Sequence, residues 1–386
     1  MKVTESIEYI GVNDHDLDLF EGQYIVPNGM AYNSYVVKGD KIAVMDSVDA
    51  RFGAEWLGNL AAATDGRAPE YLVVQHMEPD HSANITRFMD SYPDAVMVAS
   101  AKAFDMLERF YGVSYEDRRL VVKEGDELDL GSRTLRFIAA PMVHWPEVMM
   151  AYDATDKVLF SADAFGKFGA LDVEDDWACE ARRYYFGIVG KFGKQVQALL
   201  KKAAGLDVQT ICPLHGPVLS ENLDYYLGLY QTWSAYEVES EGVAIAYCSI
   251  YGHTKEAVEL LVRELEAAGC PKVAVSDLAR DDMAEAVEDA FRYGTLVLAS
   301  PTYNGDMFPF MKSFMDHLAD HAFQNRRLAF IENGTWAPNA LKTMKAKAET
   351  MKGMQFVEPE VSIKSALTDE TRAQIHELAR ALVAQA

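Results

Sequence analysis

Short apolar runs alternate with helical patterns along the C-terminal part of the chain. Segments between the runs, such as Thr254–Ala268, carry apolar residues at helical spacing. Strands and helices that alternate in this way build a parallel sheet with helices on both faces. The pattern therefore predicts a doubly wound, five-stranded parallel α/β domain. Its predicted strands are Val243–Cys248, Lys272–Val275, Thr295–Ala299, Arg327–Ile331 and Gln355–Val357.

The N-terminal part has a different pattern, in which short apolar runs outnumber the helical segments. Such a run of strands favours two packed sheets with helices outside, an αββα sandwich of the α+β type. The predicted strands are Tyr24–Val26, Ser34–Val37, Ile42–Met45, Tyr71–Gln75, Ala95–Val98, Thr134–Ala139, Val148–Tyr152, Val158–Ser161 and Val208–Cys212.

The pattern changes near residue 241, where an aromatic-rich helical stretch, Asn222–Glu239, gives way to Gly242 and a β-rich run. A chain of 386 residues is long enough for two ordinary domains. We therefore predict one domain over residues 1–241 and a second over residues 242–386.

Composition and charge narrow the classes of function. The formal net charge of −23 argues against a nucleic-acid partner, because phosphate backbones require a basic surface. No apolar run approaches the roughly 20 residues of a membrane helix, and the polar N-terminus lacks a signal-peptide core, so no membrane association and a cytoplasmic location are expected. The four cysteines are too widely spaced for a C-x-x-C knuckle, which excludes a rubredoxin-type or iron–sulfur centre within this chain.

Potential metal ligands are concentrated directly after the predicted strand Tyr71–Gln75. The sequence there reads His76-Met-Glu78-Pro-Asp80-His81. The end of a strand is a rigid place from which to present ligands. A capped, solvated turn is the alternative interpretation of this segment.

Three further candidates each follow a predicted strand of their own: His144, Asp163 and His215. Taken singly, each residue type is more often a turn residue than a ligand. Four strand-end sites in this order are far more specific. The combined set offers four imidazoles and three carboxylates, a mixture that suits iron better than zinc.

This succession resembles the metallo-β-lactamase-like fold, and the H-x-E-x-D-H pattern is similar to that of flavodiiron proteins (A-type flavoproteins). Zinc hydrolases of the same fold usually carry histidine at the position of Glu78. The resemblance implies two iron ions per chain and a bridging Asp163. It assigns one iron to His76, Glu78 and His144, and the other to Asp80, His81 and His215.

A second constellation lies in three loops of the C-terminal domain. The first loop, which precedes a helix, has hydroxyls and a glycine that suit a single phosphate at a helix N-terminus, although a merely capped helix start remains an alternative. It lacks the lysine signature of triphosphate sites. The loops are Ser249-Ile250-Tyr251-Gly252-His253-Thr254, Pro301-Thr302-Tyr303-Asn304-Gly305 and Asn333-Gly334-Thr335-Trp336.

These loops resemble those of flavodoxin, which implies FMN as the cofactor, with Tyr303 and Trp336 beside the isoalloxazine ring. In a doubly wound sheet, ligands bind at the carboxyl ends of strands near the switch point, where these loops lie. A flavodoxin-like domain that has lost its flavin is the alternative.

The order of the two domains is that of flavodiiron proteins. The resemblance implies an oxidoreductase that passes electrons through FMN to the di-iron site, reducing O₂ to water and/or NO to N₂O. It requires a separate electron donor, a rubredoxin-like protein or a reduced flavin or deazaflavin system, and implies a homodimer or homotetramer. No catalytic residue apart from the metal ligands is predicted. The alternatives are a zinc-dependent hydrolase, or an FMN electron carrier with a structural metal site.

Overall fold

The computed structural model describes residues 1–384 and separates into two compact units. The first unit spans Met1–Gln231, and the second begins at Thr232 and includes the rest of the described chain. The division falls within a helix, Leu223–Ser234. In residues 1–384, no helix is both long enough and apolar enough to cross a membrane.

The first unit contains the following strands and helices. Its strands are β1 (Ile7–Tyr9), β2 (Val12–Asp14), β3 (Leu19–Phe20), β4 (Tyr24–Ile25), β5 (Met30–Tyr32), β6 (Tyr35–Lys38), β7 (Ile42–Met45), β8 (Tyr71–Val73), β9 (Val96–Ala99), β10 (Arg119–Val121), β11 (Glu127–Asp129), β12 (Thr134–Ala139), β13 (Met149–Asp153), β14 (Val158–Phe160) and β15 (Thr210–Cys212). Its helices are α1 (Gly53–Ala63), α2 (Pro79–Ser82), α3 (Ile85–Ser91), α4 (Ala101–Tyr111), α5 (Trp177–Tyr184), α6 (Gly193–Ala203) and α7 (Leu223–Ser234).

Two sheets form the framework of this unit, in the orders β1-β6-β7-β8-β9-β10 and β11-β12-β13-β14-β15. Successive side chains of a strand point to opposite faces, so alternate residues share one face. Tyr35 and Val37 of the first sheet belong to the same buried cluster as Phe137, Ala151 and Phe160 of the second. The core therefore lies between the sheets, which confirms the predicted sandwich.

The second unit is built on a parallel sheet in the order β17-β16-β18-β20-β21, in which β22 also pairs with β20. Its strands are β16 (Ser240–Tyr247), β17 (Val273–Asp277), β18 (Tyr293–Tyr303), β19 (Asp306–Met307), β20 (Arg327–Asn333), β21 (Gln355–Phe356) and β22 (Val361–Ile363). Its helices are α8 (His253–Ala267), α9 (Met283–Arg292), α10 (Pro309–Asp320), α11 (Ala340–Ala348) and α12 (Asp369–Val383).

Helices cover both faces of this sheet. Leu261 of α8 and Ile375 and Leu378 of α12 pack on one face with Ile245 and Val297 of the central strands. Helices α9, α10 and α11 contact one another in turn and cover the other face. The strand order places the switch point between β16 and β18, as in other doubly wound sheets that bind ligands there. The predicted fold class is confirmed for this unit too.

The prediction omitted β1, β2, β3, β5, β10 and β11 of the first unit and β19 of the second, each of which is two or three residues long. Of these, β10 is exposed along its length and lacks the alternation of a half-buried strand. The fifth strand of the second unit was predicted as one segment, Gln355–Val357, but it is divided into β21 and β22. Pro359 lies between these two strands, and proline cannot donate a hydrogen bond to a neighbouring strand.

Candidate functional site

The loop after β8 carries the first candidate ligands and is fixed by a buried aspartate. The backbone N–H groups of Gln75 and His76 donate to Asp46 Oδ1 over 2.8 and 3.2 Å. The Gln75 side-chain amide donates to Asp46 Oδ2 over 2.9 Å. The loop then enters α2, with Pro79 in its first turn and His81 on its buried side. These bonds set the direction in which the ligands leave the strand.

The other candidates also lie just beyond strand ends, as the sequence predicts: His144 after β12, Asp163 after β14 and His215 after β15. The turn around Asp163 is strained. Ala162 and Phe165 have φ angles of 50° and 67°, in the left-handed region that glycine favours. Such strain persists only where surrounding contacts over-determine it, and it is common at functional sites.

One group of ligand atoms gathers around His76 and His144. The Nε2 atom of His76 lies 3.2 Å from Glu78 Oε2 and 3.1 Å from Asp163 Oδ2. The Nε2 atom of His144 lies 3.0 Å from Glu78 Oε2 and 3.2 Å from Asp163 Oδ2. All four ligand atoms lie within 4.8 Å of one another. Two nitrogens and two carboxylate oxygens thus converge on one point.

A second group gathers Asp80, His81 and His215. The Nε2 atoms of the two histidines are 2.9 Å apart, and each lies 3.3 Å from Asp80 Oδ2. The other oxygen of Asp163, Oδ1, lies 3.7 Å from His81 and 3.8 Å from His215. Asp163 therefore faces both groups, one oxygen toward each. The structure brings together all seven residues that the sequence singled out.

The buried carboxylates of this cluster suit the binding of metal ions. Within the described residues, both carboxylate oxygens of Asp80 and of Asp163 are buried, and their polar neighbours are histidine nitrogens of the same cluster at 3.1–3.8 Å, none in hydrogen-bond geometry. Buried carboxylates are expensive unless a positive charge compensates them. The four atoms point into a space lined by imidazole nitrogens, which are themselves metal ligands. Two adjacent cation positions account for these buried carboxylates.

The pKa directions agree with cation binding. Burial alone would raise the pKa of Asp163, but His76 and His144 overcome that effect and hold it well below the ordinary value. The pKa of Glu78 is lowered in the same way by His144 and His76 against the effect of burial. Burial lowers the pKa of His81 to about 4. The carboxylates are thus anionic and His81 is neutral, which are the forms that bind metals. Against the effect of burial, carboxylates of the cluster raise the pKa of His76, of His215 and of His144, the last to about 9, so these three rings release a proton when a metal ion replaces it.

Two further contacts orient the ligand rings, and the sequence did not indicate either. His76 Nδ1 donates to Glu147 Oε1 over 2.8 Å, and the same oxygen accepts the Met77 N–H over 2.9 Å. His215 Nδ1 donates to the carbonyl oxygen of Ala31 over 2.8 Å. Both rings therefore present Nε2 to the centre. Glu147 follows His144 closely in the chain, but no spacing distinguishes it from an ordinary acidic residue.

The three loops of the second unit line a cavity of about 450 Å³ at the carboxyl ends of β16, β18 and β20. In a chain with 59 acidic residues, the described residues that line this cavity include no carboxylate. An anionic ligand is therefore not repelled by a carboxylate among these residues. The lining residues are Ser249, Ile250, Tyr251, His253, Thr254, Pro301, Thr302, Asn304, Gly305, Asn333, Gly334, Thr335, Trp336, Ala337 and Ser365.

One end of the cavity has the chemistry of a phosphate site. Helix α8 begins at His253, with Gly252 in a left-handed conformation as its N-cap. Ser249 Oγ accepts the N–H groups of Gly252 and Lys255 over 3.1 and 3.3 Å, and Thr254 is buried beside them. Hydroxyls and N–H groups at a helix N-terminus stabilise a phosphate without a basic side chain. This end fits the single phosphate of a mononucleotide.

The aromatic candidates differ in position. Trp336 lines the cavity and is 82% exposed, and Tyr251 lines it and is 92% exposed. Tyr303 does not line the cavity but packs edge-on against Phe308 at 5.5 Å. The geometry offers two free aromatic faces for a planar ring.

Two residues of the cavity wall were missed by the sequence analysis: Ala337 and Ser365. Ser365 follows β22 and is bound to Asn333 twice. Asn333 Nδ2 donates to Ser365 O, and Ser365 N donates to Asn333 Oδ1, each over 2.9 Å. No local motif marks Ser365, because its role depends on strand pairing that is distant in the sequence.

Comparison with known proteins agrees with this arrangement. A family model described as ODP family beta lactamase matches residues 30–216, and one described as NADPH-dependent FMN reductase matches residues 233–368. A nitric oxide reductase from Moorella thermoacetica is 30% identical, and the match covers 99% of this chain and 98% of the relative. An anaerobic nitric oxide reductase flavorubredoxin from Salmonella arizonae is 29% identical over 90% of this chain and 74% of the relative.

Solved structures show the same fold. The rubredoxin oxygen:oxidoreductase of Desulfovibrio gigas superposes with a TM-score of 0.92 at 23% identity, covering 100% of this chain and 98% of that one. The flavodiiron protein of Giardia intestinalis gives a TM-score of 0.92 at 24% identity, covering 99% and 96%. With a full-length relative at 30% identity and both domains matched, this chain is an oxidoreductase that belongs to the flavodiiron protein family.

Proposed function

We propose that the protein reduces NO to N₂O and/or O₂ to water, using electrons that an external donor delivers through FMN. The observation that carries this proposal is the convergence of seven ligand side chains on two adjacent positions, with Asp163 facing both. Two adjacent metals suit the reduction of a diatomic gas, which requires several electrons. The relatives named nitric oxide reductase support the same chemistry.

The chain's own residues define what each cofactor would meet. His76, Glu78 and His144 would hold one iron and Asp80, His81 and His215 the other, with Asp163 between them. The hydroxyls of Ser249 and Thr254 would hold the FMN phosphate, while Trp336 would flank its ring. Bound FMN supplies electrons singly or in pairs, and bound iron supplies the site of gas reduction.

A zinc hydrolase of the same fold is less consistent with this site. Glu78 places a carboxylate oxygen 3.2 Å from His76 Nε2 and 3.0 Å from His144 Nε2. Carboxylate-rich mixed sites favour iron, whereas zinc sites rely more on nitrogen and thiolate. Metal analysis of the purified active protein separates the two possibilities. We expect about two irons per chain if both positions are filled, and stoichiometric zinc in active protein would contradict the proposal.

The activity itself is tested by reducing the holoprotein anaerobically and mixing it in a stopped-flow instrument with O₂ or, separately, with NO. We expect rapid reoxidation of the flavin by at least one gas, with N₂O or water as product. The control is the His76→Ala variant loaded with FMN, which should reoxidise only at the rate of free flavin. A wild-type rate no faster than this control would instead indicate an FMN electron carrier with a structural metal site.

The donor is proposed to be a separate reduced protein of the rubredoxin type or a reduced flavin or deazaflavin system. The four cysteines of this chain lie at positions 179, 212, 248 and 270, too far apart for a rubredoxin knuckle. Pre-steady-state reduction of the FMN by each donor class, followed by its absorbance, identifies the one that reacts.

We further propose a homodimer, or a homotetramer built from two such dimers, in which the FMN of one subunit serves the metal site of the other. The proposal follows from the family resemblance and from the placement of the two sites in separate units of the chain. A two-fold interface satisfies both sites with a single self-complementary contact.

Mixing two inactive variants tests the homodimer. One carries His76→Ala and the other carries Ser249→Asp with Thr254→Ala, which together prevent phosphate binding. Heterodimers should recover part of the activity because one intact flavin then serves one intact metal site. Proven heterodimers without recovery would show that electrons travel within one chain.

A further inference from the structure

The first unit also contains a cavity of about 470 Å³, to which the proposed function assigns no role. It lies between α6, α7 and strands of the second sheet, and its lining is almost wholly apolar. The lining residues are Met150, Leu159, Ala164, Phe165, Val196, Leu199, Leu200, Ala203, Ala204, Leu206, Val208, Ile211, Leu223, Leu227, Gly228, Tyr230 and Gln231. We name this space the α6–α7 cavity.

The α6–α7 cavity runs from the surface to the interior. Ala204, which follows α6, and Gly228 of α7 are exposed to solvent. Met150 and Phe165 are only 1% and 4% exposed. The lining therefore extends from the surface of the two helices to buried residues of the second sheet and of the turn after β14.

The polar groups of the lining are already engaged. The Phe165 N–H donates to Tyr230 Oη over 2.5 Å. Gln231 Nε2 donates to Gln197 Oε1 over 3.1 Å, and the Gln231 carbonyl accepts from Gln197 Nε2 over 3.2 Å. A water molecule inside would find few partners, whereas apolar cavities bind apolar atoms such as xenon.

The buried part of the lining adjoins the proposed metal centre. Ala164 and Phe165, which form part of the wall, directly follow Asp163 in the chain. Asp163 has one oxygen facing each group of ligands. Phe165 stacks on Tyr230 with ring centroids 4.2 Å apart, and both rings line the cavity, so the strained turn that holds Asp163 itself forms part of the cavity wall.

We propose that the α6–α7 cavity is a binding site and entry route for a small apolar diatomic gas on its way to the metal centre. The inference rests on the proposed gas-reductase function and adds the route by which the substrate arrives. A larger organic ligand is disfavoured, because such sites hold their ligand with a few free convergent polar groups. A diatomic gas needs no polar partner, and it enters an apolar space more favourably than water does.

A larger side chain in the exposed part of the cavity wall tests this route. Gly228 is an exposed residue of α7 in the cavity wall, and a Cβ added there meets no atom within 4 Å, so a larger side chain is accommodated at this position without a clash. We expect the series Gly228→Ala, Gly228→Leu and Gly228→Phe to lower kcat/KM for the gas stepwise, by about fivefold for phenylalanine. The rate at saturating gas should stay unchanged, since no ligand is altered.

The matched control is Gly58→Phe. Gly58 is an exposed glycine of α1 whose added Cβ also meets nothing within 4 Å, and it does not line the cavity. Its kcat/KM should equal that of the wild type. Equal kcat/KM for Gly228→Phe and Gly58→Phe would overturn the inference, whereas a wild-type protein inert toward both gases would overturn the proposed function instead.

Xenon binding supplies a measurement that needs neither a variant nor turnover. Crystals of the holoprotein under xenon pressure should show a xenon atom between Leu199 and Phe165, and the Gly228→Phe variant should fill more slowly. Xenon at other positions with none in the α6–α7 cavity would overturn the inference, as would an ordered organic molecule that occupies the cavity in the purified protein.

Discussion

The two candidate sites of this chain differ in how much of the geometry the protein itself provides. Of the aromatic side chains at the flavin cavity, Trp336 and Tyr251 are 82% and 92% exposed. At the metal centre, by contrast, His76, His81 and Asp163 are buried almost completely. FMN brings its own rigid ring and phosphate, so loops at strand ends suffice to hold it. Metal ions bring no framework, so the chain must arrange every ligand atom in advance.

The contrast extends to the bonds behind each site. Glu147 orients His76, the Ala31 carbonyl orients His215, and Asp46 fixes the loop that carries the ligands. Behind the flavin cavity, Asn333 pairs with Ser365, and Thr302 Oγ1 accepts the N–H groups of Asn339 and Ala340, so loops brace one another. Substitution of a metal-centre ligand should therefore have a larger effect than substitution of an exposed aromatic residue at the flavin cavity.

The largest effect is expected from Asp163→Ala. It removes the carboxylate that faces both ligand groups, so both metal positions should lose affinity together. Gas reduction should fall to the rate of free flavin, while the yellow FMN spectrum persists because the second unit is unchanged. Iron analysis beside the absorption spectrum measures both. His76→Ala is the comparison variant and should lose iron as well. Full iron content with Asp163→Ala would show that this aspartate is not a ligand.

Separating the units gives the next largest effect. A fragment of residues 232–386 should fold, bind FMN and reduce neither gas at a useful rate. A shorter fragment, residues 242–386, should also bind FMN but with lower stability. Arg326 is buried and donates to the carbonyl oxygens of Tyr236 and Glu237, which the shorter fragment lacks. Each lost acceptor should cost about 1–3 kcal/mol.

Urea unfolding of the two fragments, each with FMN, checks this difference. Equal free energies of unfolding would mean that residues 232–241 contribute nothing to the second unit. Rapid O₂ consumption to water by either fragment would contradict the di-iron proposal. Slow peroxide formation would be ordinary flavin autoxidation and is the expected background.

A smaller effect is expected from Glu147→Gln. The amide keeps the shape of the side chain and can accept the hydrogen bond of His76 Nδ1, but it removes the negative charge behind that ring. Loss of such a partner typically lowers metal affinity about 10–100-fold. Competition with a chelator measures this change. Glu124→Gln, at an exposed carboxylate that pairs with Lys202, is the matched control and should leave metal affinity unchanged. Unchanged affinity for Glu147→Gln would assign Glu147 a structural role alone.

At both sites, the sequence predicted the residues that face the cofactor but not the residues that hold them in place. The seven candidate metal ligands follow strand ends, four of them within one six-residue segment, and each is a residue type that is seldom buried without a partner. Glu147 and Asp46 act through the ligands rather than as ligands, so no spacing reveals them. Ser365 enters the flavin cavity only because β22 pairs with β20, and that pairing depends on tertiary structure. The candidate ligands at strand ends could thus be predicted from the sequence, whereas the supporting contacts between distant parts of the chain could not.

The smallest effect is expected at the flavin ring, from Trp336→Leu. Trp336 lines the cavity with most of its side chain exposed, so its face is free to stack on a planar ring. Loss of one aromatic stack costs about 1 kcal/mol, which weakens FMN binding by about fivefold. Titration of the apoprotein with FMN, followed by flavin fluorescence, measures the dissociation constant. Phe310→Leu is the matched control, because Phe310 is an exposed aromatic residue of α10 that does not line the cavity, so its loss should leave FMN affinity unchanged. A larger loss with Tyr303→Leu than with Trp336→Leu would place the flavin ring against Tyr303 instead.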